Sequence, residues 1–123
     1  MKNSNLLGDK MNIEKINNEI RKFVEDRDWE KFHTPKNISM ALSVEASELL
    51  EIFQWHDDNS FNENKEKLTN LSKDEIADIF YYLLRMCQIL EIDLEKAFFE
   101  KMKKNVLKYP KEKYQGKATW ENK

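Results

Sequence analysis

Two pairs of carboxylates stand out, each with its members three residues apart: Glu45 with Glu48, and Glu75 with Asp78. On a helix that spacing puts both acids of a pair on one face, one turn above the other. Both faces are otherwise apolar. Wound at about 100° per residue, the stretch around Glu45 has Ile38, Ala41, Leu42, Leu49, Ile52 and Phe53 as its apolar stripe, with Glu45 near the middle and Glu48 on the edge. Glu75 and Asp78 share a side with Tyr82 and Ile89, next to Ile79, Leu83, Met86 and Leu90. Acids rarely occupy a buried face unless they are paired or bound to a cation. Four carboxylates converging at about 6 Å, at an effective dielectric of about 20, repel by more than the usual net stability of a domain. Such a group must take up cations or protons. Oxygen ligands without nearby Cys or His favour a hard ion, Mg²⁺ or Mn²⁺, over zinc. Hard ions suit phosphoryl transfer or hydrolysis, where they neutralise phosphate oxygens while a carboxylate accepts a proton from the attacking water.

No P-loop glycines are present, so side chains must hold any phosphates. Lys101, Lys104, Asn105, Lys108 and Tyr109 are candidates, and the competing reading of that basic run is a solvated helix end favoured by the macrodipole. The other metal chemistry of helical bundles, a di-iron carboxylate site, needs a pair of Glu-x-x-His motifs that His33 and His56 do not supply.

Positioning these acids requires helices. Ile13, Ile16, Ile20 and Phe23 or Val24 recur at three- and four-residue steps, which predicts a first helix over about 11–26. An aromatic connector, Arg27 to Pro35, follows without a period. Thr34 then Pro35 reads as an N-cap and a first-turn proline, starting a second helix over about 35–55 that Asp57-Asp58-Asn59-Ser60 breaks. A short polar segment with Phe61 and Leu68 leads to a third helix over about 72–90. Ser72-Lys73-Asp74-Glu75 fits a capping box there, which is the structural rival for Glu75. Asp93 caps a fourth helix with Leu94, Ala97, Phe98 and Met102 on its apolar face, closed by Pro110. Residues 1–10 are expected to be loose, 11–110 to form one domain, and the polar tail 111–123 to lack a helix of its own, with Tyr114 and Trp120 as possible anchors. The expected fold class is all-α, a four- to five-helix bundle. Helices two and three are apolar around more of their circumference than one small bundle can cover, so an oligomer is expected.

Composition narrows the function classes. The 123 residues have 36% charged side chains and a net charge of only −2, so there is no field for nucleic acid. The one cysteine, Cys87, falls among core positions and reads as a reduced core thiol. The longest apolar run, Ile79 to Leu84, stops at Arg85, far short of the roughly 20 residues of a membrane span. With no signal-peptide core in the first ten residues, the expected setting is soluble, reducing and cytoplasmic.

The motifs together resemble a known family. Asp28-Trp29-Glu30-Lys31-Phe32-His33-Thr34-Pro35-Lys36-Asn37, the Glu-x-x-Glu helix ending Phe53-Gln54-Trp55, the Glu75/Asp78 pair with Tyr82, and Lys101-Met102-x-x-Asn105-x-x-Lys108-Tyr109-Pro110 resemble the MazG-like all-α nucleoside triphosphate pyrophosphohydrolases, most of all the dCTP pyrophosphatase subgroup. The similarity runs from about residue 20 to 110. It implies Mg²⁺-dependent cleavage of a (deoxy)nucleoside triphosphate between the α and β phosphates, with Glu45, Glu48, Glu75 and Asp78 as metal ligands. It implies a homotetramer whose active sites draw on more than one subunit. It makes Trp29, Phe32, His33 and Trp55 a base and sugar pocket, with Lys36 and Asn37 beside it and Tyr82 facing the acids. Lys108 stands where the subgroup tends to have Arg, and the tail diverges; both bear on base preference. The reading from another class is a catalytically silent helical oligomer that binds nucleotide or a protein partner.

Overall fold

A computed structural model describes residues 10–117. Every regular element in them is helical: α1 (Ile13–Asp26), α2 (Pro35–Phe53), α3 (Asp58–Glu63), α4 (Lys65–Leu90), α5 (Leu94–Lys108) and α6 (Lys111–Tyr114), with a single 3₁₀ turn at Glu30–Phe32. The chain is all-α, as its periodicity requires. Of the described residues, those up to Leu90 make one compact unit and those from Glu91 to Lys117 a second.

In the first unit α4 is the common partner. It packs along α2 and against α1 and α3. The buried side chains come from three of these helices: Ile20 and Val24 from α1, Ile38 from α2, Leu68 and Leu84 from α4. The helix starts follow side-chain chemistry. Asn12 Oδ1 accepts from the Lys15 N–H at 3.0 Å, and Thr34 Oγ1 accepts from the Asn37 N–H at 3.1 Å, with Pro35 in the first turn. The Asn37 amide also donates to the Phe32 carbonyl at 2.9 Å, which pins the connector to the start of α2. Between α1 and the 3₁₀ turn the chain reverses through Asp28, whose φ of 54° is left-handed.

Three expectations change. Asp57 is a cap and not only a breaker: its Oδ1 accepts the Ser60 N–H at 2.8 Å and starts α3. The third long helix begins at Lys65, so the supposed polar link is helical. Ser72 lies inside α4, 5% exposed, with its Oγ donating to the Leu68 carbonyl at 2.7 Å. That internal bond satisfies the hydroxyl without a helix start, and buried Leu68 extends the apolar stripe upstream. The capping box is therefore absent, and Glu75 is free of it.

In the second unit Asp93 caps α5 through the Lys96 N–H, as expected. The tail does carry a helical turn, α6, which begins after Pro110, and the Tyr114 ring meets Tyr109 edge-on at 5.2 Å. Residues 1–9 and Trp120 lie outside the described residues. Cys87 is half-buried and its burial pushes the thiol up, in keeping with a core role. Among the described residues no helix is long and apolar enough to cross a membrane.

Candidate active site

Where α2 lies along α4, three acids meet. One carboxylate oxygen from each of Glu45, Glu48 and Glu75 falls within 4.8 Å of the others, the one such grouping of His, Cys, Asp or Glu among the described residues. Glu45 and Glu75 are half-buried and Glu48 is exposed. Oε2 of Glu45 and Oε2 of Glu75 are themselves buried and meet no hydrogen-bond donor. Buried acceptors without donors are uncommon, because each forfeits its hydration.

Two of the acids are shifted by their neighbours. Contact with Glu75 raises the Glu48 carboxyl above its ordinary value, against an opposing effect of Glu45. Contact with Glu45, then burial, raises Glu75. Adjacent carboxylates that cannot all ionise cheaply must share protons or gain a cation. The donor set here is oxygen only, and two of its members carry an orphaned buried oxygen, so it fits a hard divalent ion.

Asp78 lies one turn beyond Glu75 on α4 and is exposed; it is outside the three-acid group, though its charge adds to the upward push on Glu75 and on Tyr82. The half-buried Tyr82 phenol is raised by burial first, then by Glu45 and Asp78, which keeps it a proton donor facing acids. Its ring stands 4.8 Å from that of Tyr81.

The connector forms a second cluster. Trp29, 40% exposed, meets Phe23 edge-on at 5.6 Å and has the His33 ring 6.4 Å away. Phe32 is exposed, with Lys31 Nζ 5.4 Å above its ring, and Lys36 is exposed on the first turn of α2. His33 Nδ1 accepts a hydrogen bond from Arg85 Nε at 2.9 Å. Arg85 Nη1 donates to Gln88 Oε1 at 3.0 Å, and Gln88 Nε2 donates to the Asn17 carbonyl and Oδ1 at 3.2 and 2.9 Å. Reading the sequence missed Arg85, Gln88 and Asn17. The available signal was a cation closing the apolar run at Leu84, with an amide one turn later on the same face.

Trp55 is not brought to that cluster within one chain. It follows the end of α2, 84% exposed, and 19 helical residues at about 1.5 Å each separate it from His33 by about 28 Å. Lys101, Asn105, Lys108 and Tyr109 belong to the second unit. There Asn105 contacts Met102 Sδ at 3.8 Å and Lys108 Nζ lies 5.4 Å from the Tyr109 ring.

An all-α chain with a carboxylate group able to hold a cation between two long helices is a defined class of architecture. Residues 40–123 match the MazG-like family, and the chain belongs to it. It is 33% identical over 108 residues to dCTP pyrophosphatase 1 of Rattus norvegicus, covering 86% of this chain and 64% of that protein. Against dCTP pyrophosphatase 1 of Homo sapiens it is 33% identical over 100 residues, covering 80% and 59%. The chain thus spans less than two thirds of the length of these relatives. A crystal structure of a pyrophosphatase from Archaeoglobus fulgidus superposes with a TM-score of 0.77 at 40% identity, covering 82% of this chain and 94% of that one.

Proposed function

We propose that the protein is a Mg²⁺-dependent nucleoside triphosphate pyrophosphohydrolase, with Mn²⁺ as a possible substitute, that converts dCTP or a related deoxynucleotide to the monophosphate and pyrophosphate. The observation that carries this reading is the pair of buried, donorless oxygens on Glu45 and Glu75 within a three-acid group. The names of the similar proteins support the reaction class and dCTP as the first substrate to try.

Glu45, Glu48 and Glu75 would hold the cation, with Asp78 one turn beyond as the fourth ligand if it swings in, and the cation would supply positive charge against the phosphate oxygens. Water attacks phosphorus, the bridge between the α and β phosphates breaks, and the pyrophosphate leaves. One of the acids accepts the water's proton. Tyr82 donates toward the phosphates. Trp29 and Phe32 provide aromatic faces for the base and His33 a polar edge, with Lys36 and Asn37 alongside. Lys101, Asn105 and Lys108 on α5 and Tyr109 at its end are the side chains the second unit offers to phosphate oxygens.

The assembly is a homotetramer in this reading. Exposed Met40, Val44 and Leu50 on α2, Leu71 and Ile76 on α4, and Phe98, Phe99, Val106 and Leu107 on α5 supply apolar surface for it. Trp55, one α2 length from His33, joins a base pocket only if a second copy brings it there. The setting is cytoplasmic, and the role is removal of unwanted nucleotides from the pool.

Purified protein with Mg²⁺ and a panel of nucleoside triphosphates tests the reaction, read as monophosphate and pyrophosphate. No product from any nucleotide, or full activity in Glu48→Ala, refutes it. Nucleotide-induced stabilisation without turnover would establish the silent binding oligomer instead. Light scattering tests the assembly; a monomer at assay concentration refutes it.

A further inference from the structure

A guanidinium has five N–H donors and no acceptor, and it does not lose its charge in proteins. The bond from Arg85 Nε to His33 Nδ1 therefore has one direction: Nδ1 offers its lone pair. A neutral imidazole that accepts at Nδ1 carries its hydrogen on Nε2. A second proton on Nδ1 would remove the bond and set two cations in contact. Burial and then the Arg85 charge hold the His33 ring below its ordinary range, in the same sense.

Arg85 is itself restrained. Its Nη1 is held by Gln88 Oε1, and the Gln88 amide is anchored twice on Asn17 of α1. The chain of bonds joins α1, α4 and the connector, so a side chain with many rotamers is held in one place. The Trp29 ring beside His33 supplies a flat apolar surface next to the imidazole. Among the described residues Arg85 is the one side-chain hydrogen-bond partner of that ring, which leaves Nε2 for a ligand.

We propose that Arg85 is a positioning residue that fixes His33 in its Nε2–H form, so that His33 offers a single directed N–H donor to a carbonyl oxygen or ring nitrogen on the nucleobase edge. This rests on the reading of Trp29 and His33 as the base end of the site. It assigns the base edge its polarity: an acceptor is read at that position and an amino group is rejected.

The test separates the two layers. In ¹⁵N-labelled protein at neutral pH, two-bond nitrogen–proton spectra report the tautomer directly, and with only two histidines His33→Gln assigns the signals. Expected are a pyridine-type Nδ1 and a pyrrole-type Nε2 in the wild type, and averaged signals in Arg85→Ala. Gln88→Ala, which keeps the donor and removes its brace, gives a smaller change in the same direction should Arg85→Ala not fold. In turnover Arg85→Ala raises KM for the preferred nucleotide about tenfold, the loss of roughly one good hydrogen bond, with kcat changed less than about twofold. Added to His33→Gln it has no further effect. A wild-type Nδ1–H form, an unchanged tautomer in both variants, or full additivity with His33→Gln overturns the proposal. If the wild type hydrolyses nothing, the pyrophosphohydrolase reading fails by itself, and Kd values for a non-hydrolysable α,β-methylene triphosphate replace KM. Equal affinity of wild type and Arg85→Ala for that analogue, or no binding by either, overturns the base-reading role.

Discussion

Glu45 on α2 and Glu75 on α4 face one another with a buried Oε2 each, and no donor among the described residues reaches either oxygen. Two helices thus place acceptor against acceptor at the point where they should be packing most simply. The native state carries this repulsion unless protons or a cation relieve it, and the consequences can be measured.

Removing one charge should stabilise the metal-free protein. Glu48 and Glu75 have folded-state values raised above the ordinary carboxylate range, so in the window between the two values the native state binds more protons than the unfolded chain. Stability contributed by this group therefore falls as pH rises through that window, and the full penalty is present above it. Glu75→Gln in chelator raises Tm at neutral pH, and the gain fades as the solution is made acid. Melting curves across that range check the sign; a lower Tm for Glu75→Gln at neutral pH contradicts it.

A divalent cation should do the same to the wild type. At free Mg²⁺ about 100 times its Kd, binding to the folded state adds about 2.7 kcal/mol. Glu45→Gln loses most of that increment. An equal Mg²⁺-dependent rise in Tm in both proteins would place the ion elsewhere.

The two clusters should separate in kinetics. Glu48→Ala loses more than the roughly 10- to 100-fold typical of residues that only support a metal ligand, and loses it in kcat. Trp29→Ala and His33→Ala act mainly on KM or on the ratio between bases. Uniform changes for all nucleotides in the aromatic variants would remove the base pocket from that end of α2.

Helix starts offer a stability contrast. Thr34→Ala removes an N-cap that accepts the Asn37 N–H and costs about 1 kcal/mol. Ser72→Ala, inside α4, changes stability by less than about 0.5 kcal/mol, since alanine is the better helix former and the Leu68 carbonyl keeps its helical partner. Chemical denaturation of the two variants decides; equal losses would restore Ser72 as a cap.

These cases also mark what local reasoning reaches. Thr34-Pro35 and Asp93 announce helix starts because a cap is a matter of a few neighbouring residues, and the structure has both. Glu45, Glu48 and Glu75 were readable because a charge on an apolar stripe is a local contradiction. Ser72 is ambiguous in the sequence because the same residue types serve as a cap or as a buried interior serine, and only burial of Leu68 and Ser72 distinguishes them. Asp57 reads as a stop, yet a stop for one helix is a start for the next. The Asn17, Gln88, Arg85 and His33 bonds join residues 52 and 71 positions apart, and no pattern along one helix reports such a meeting. Asp78 shows the limit of spacing itself: it shares a face with Glu75, yet it stands outside the three-acid group.

The unbroken length of α4 has a metrical consequence. Glu75 and Arg85 are ten residues apart on one unbroken helix, which sets about 15 Å of axial rise between the acid and the arginine whose side chain holds the imidazole. On α2, Glu45 stands ten residues after Pro35, just past His33, so the neighbouring helix marks off nearly the same interval. Under the proposed function these two matching scales gauge molecular length. A substrate with its phosphates at the acids and its base at His33 spans both marks, and a free pyrophosphate, far shorter than the interval, reaches only one.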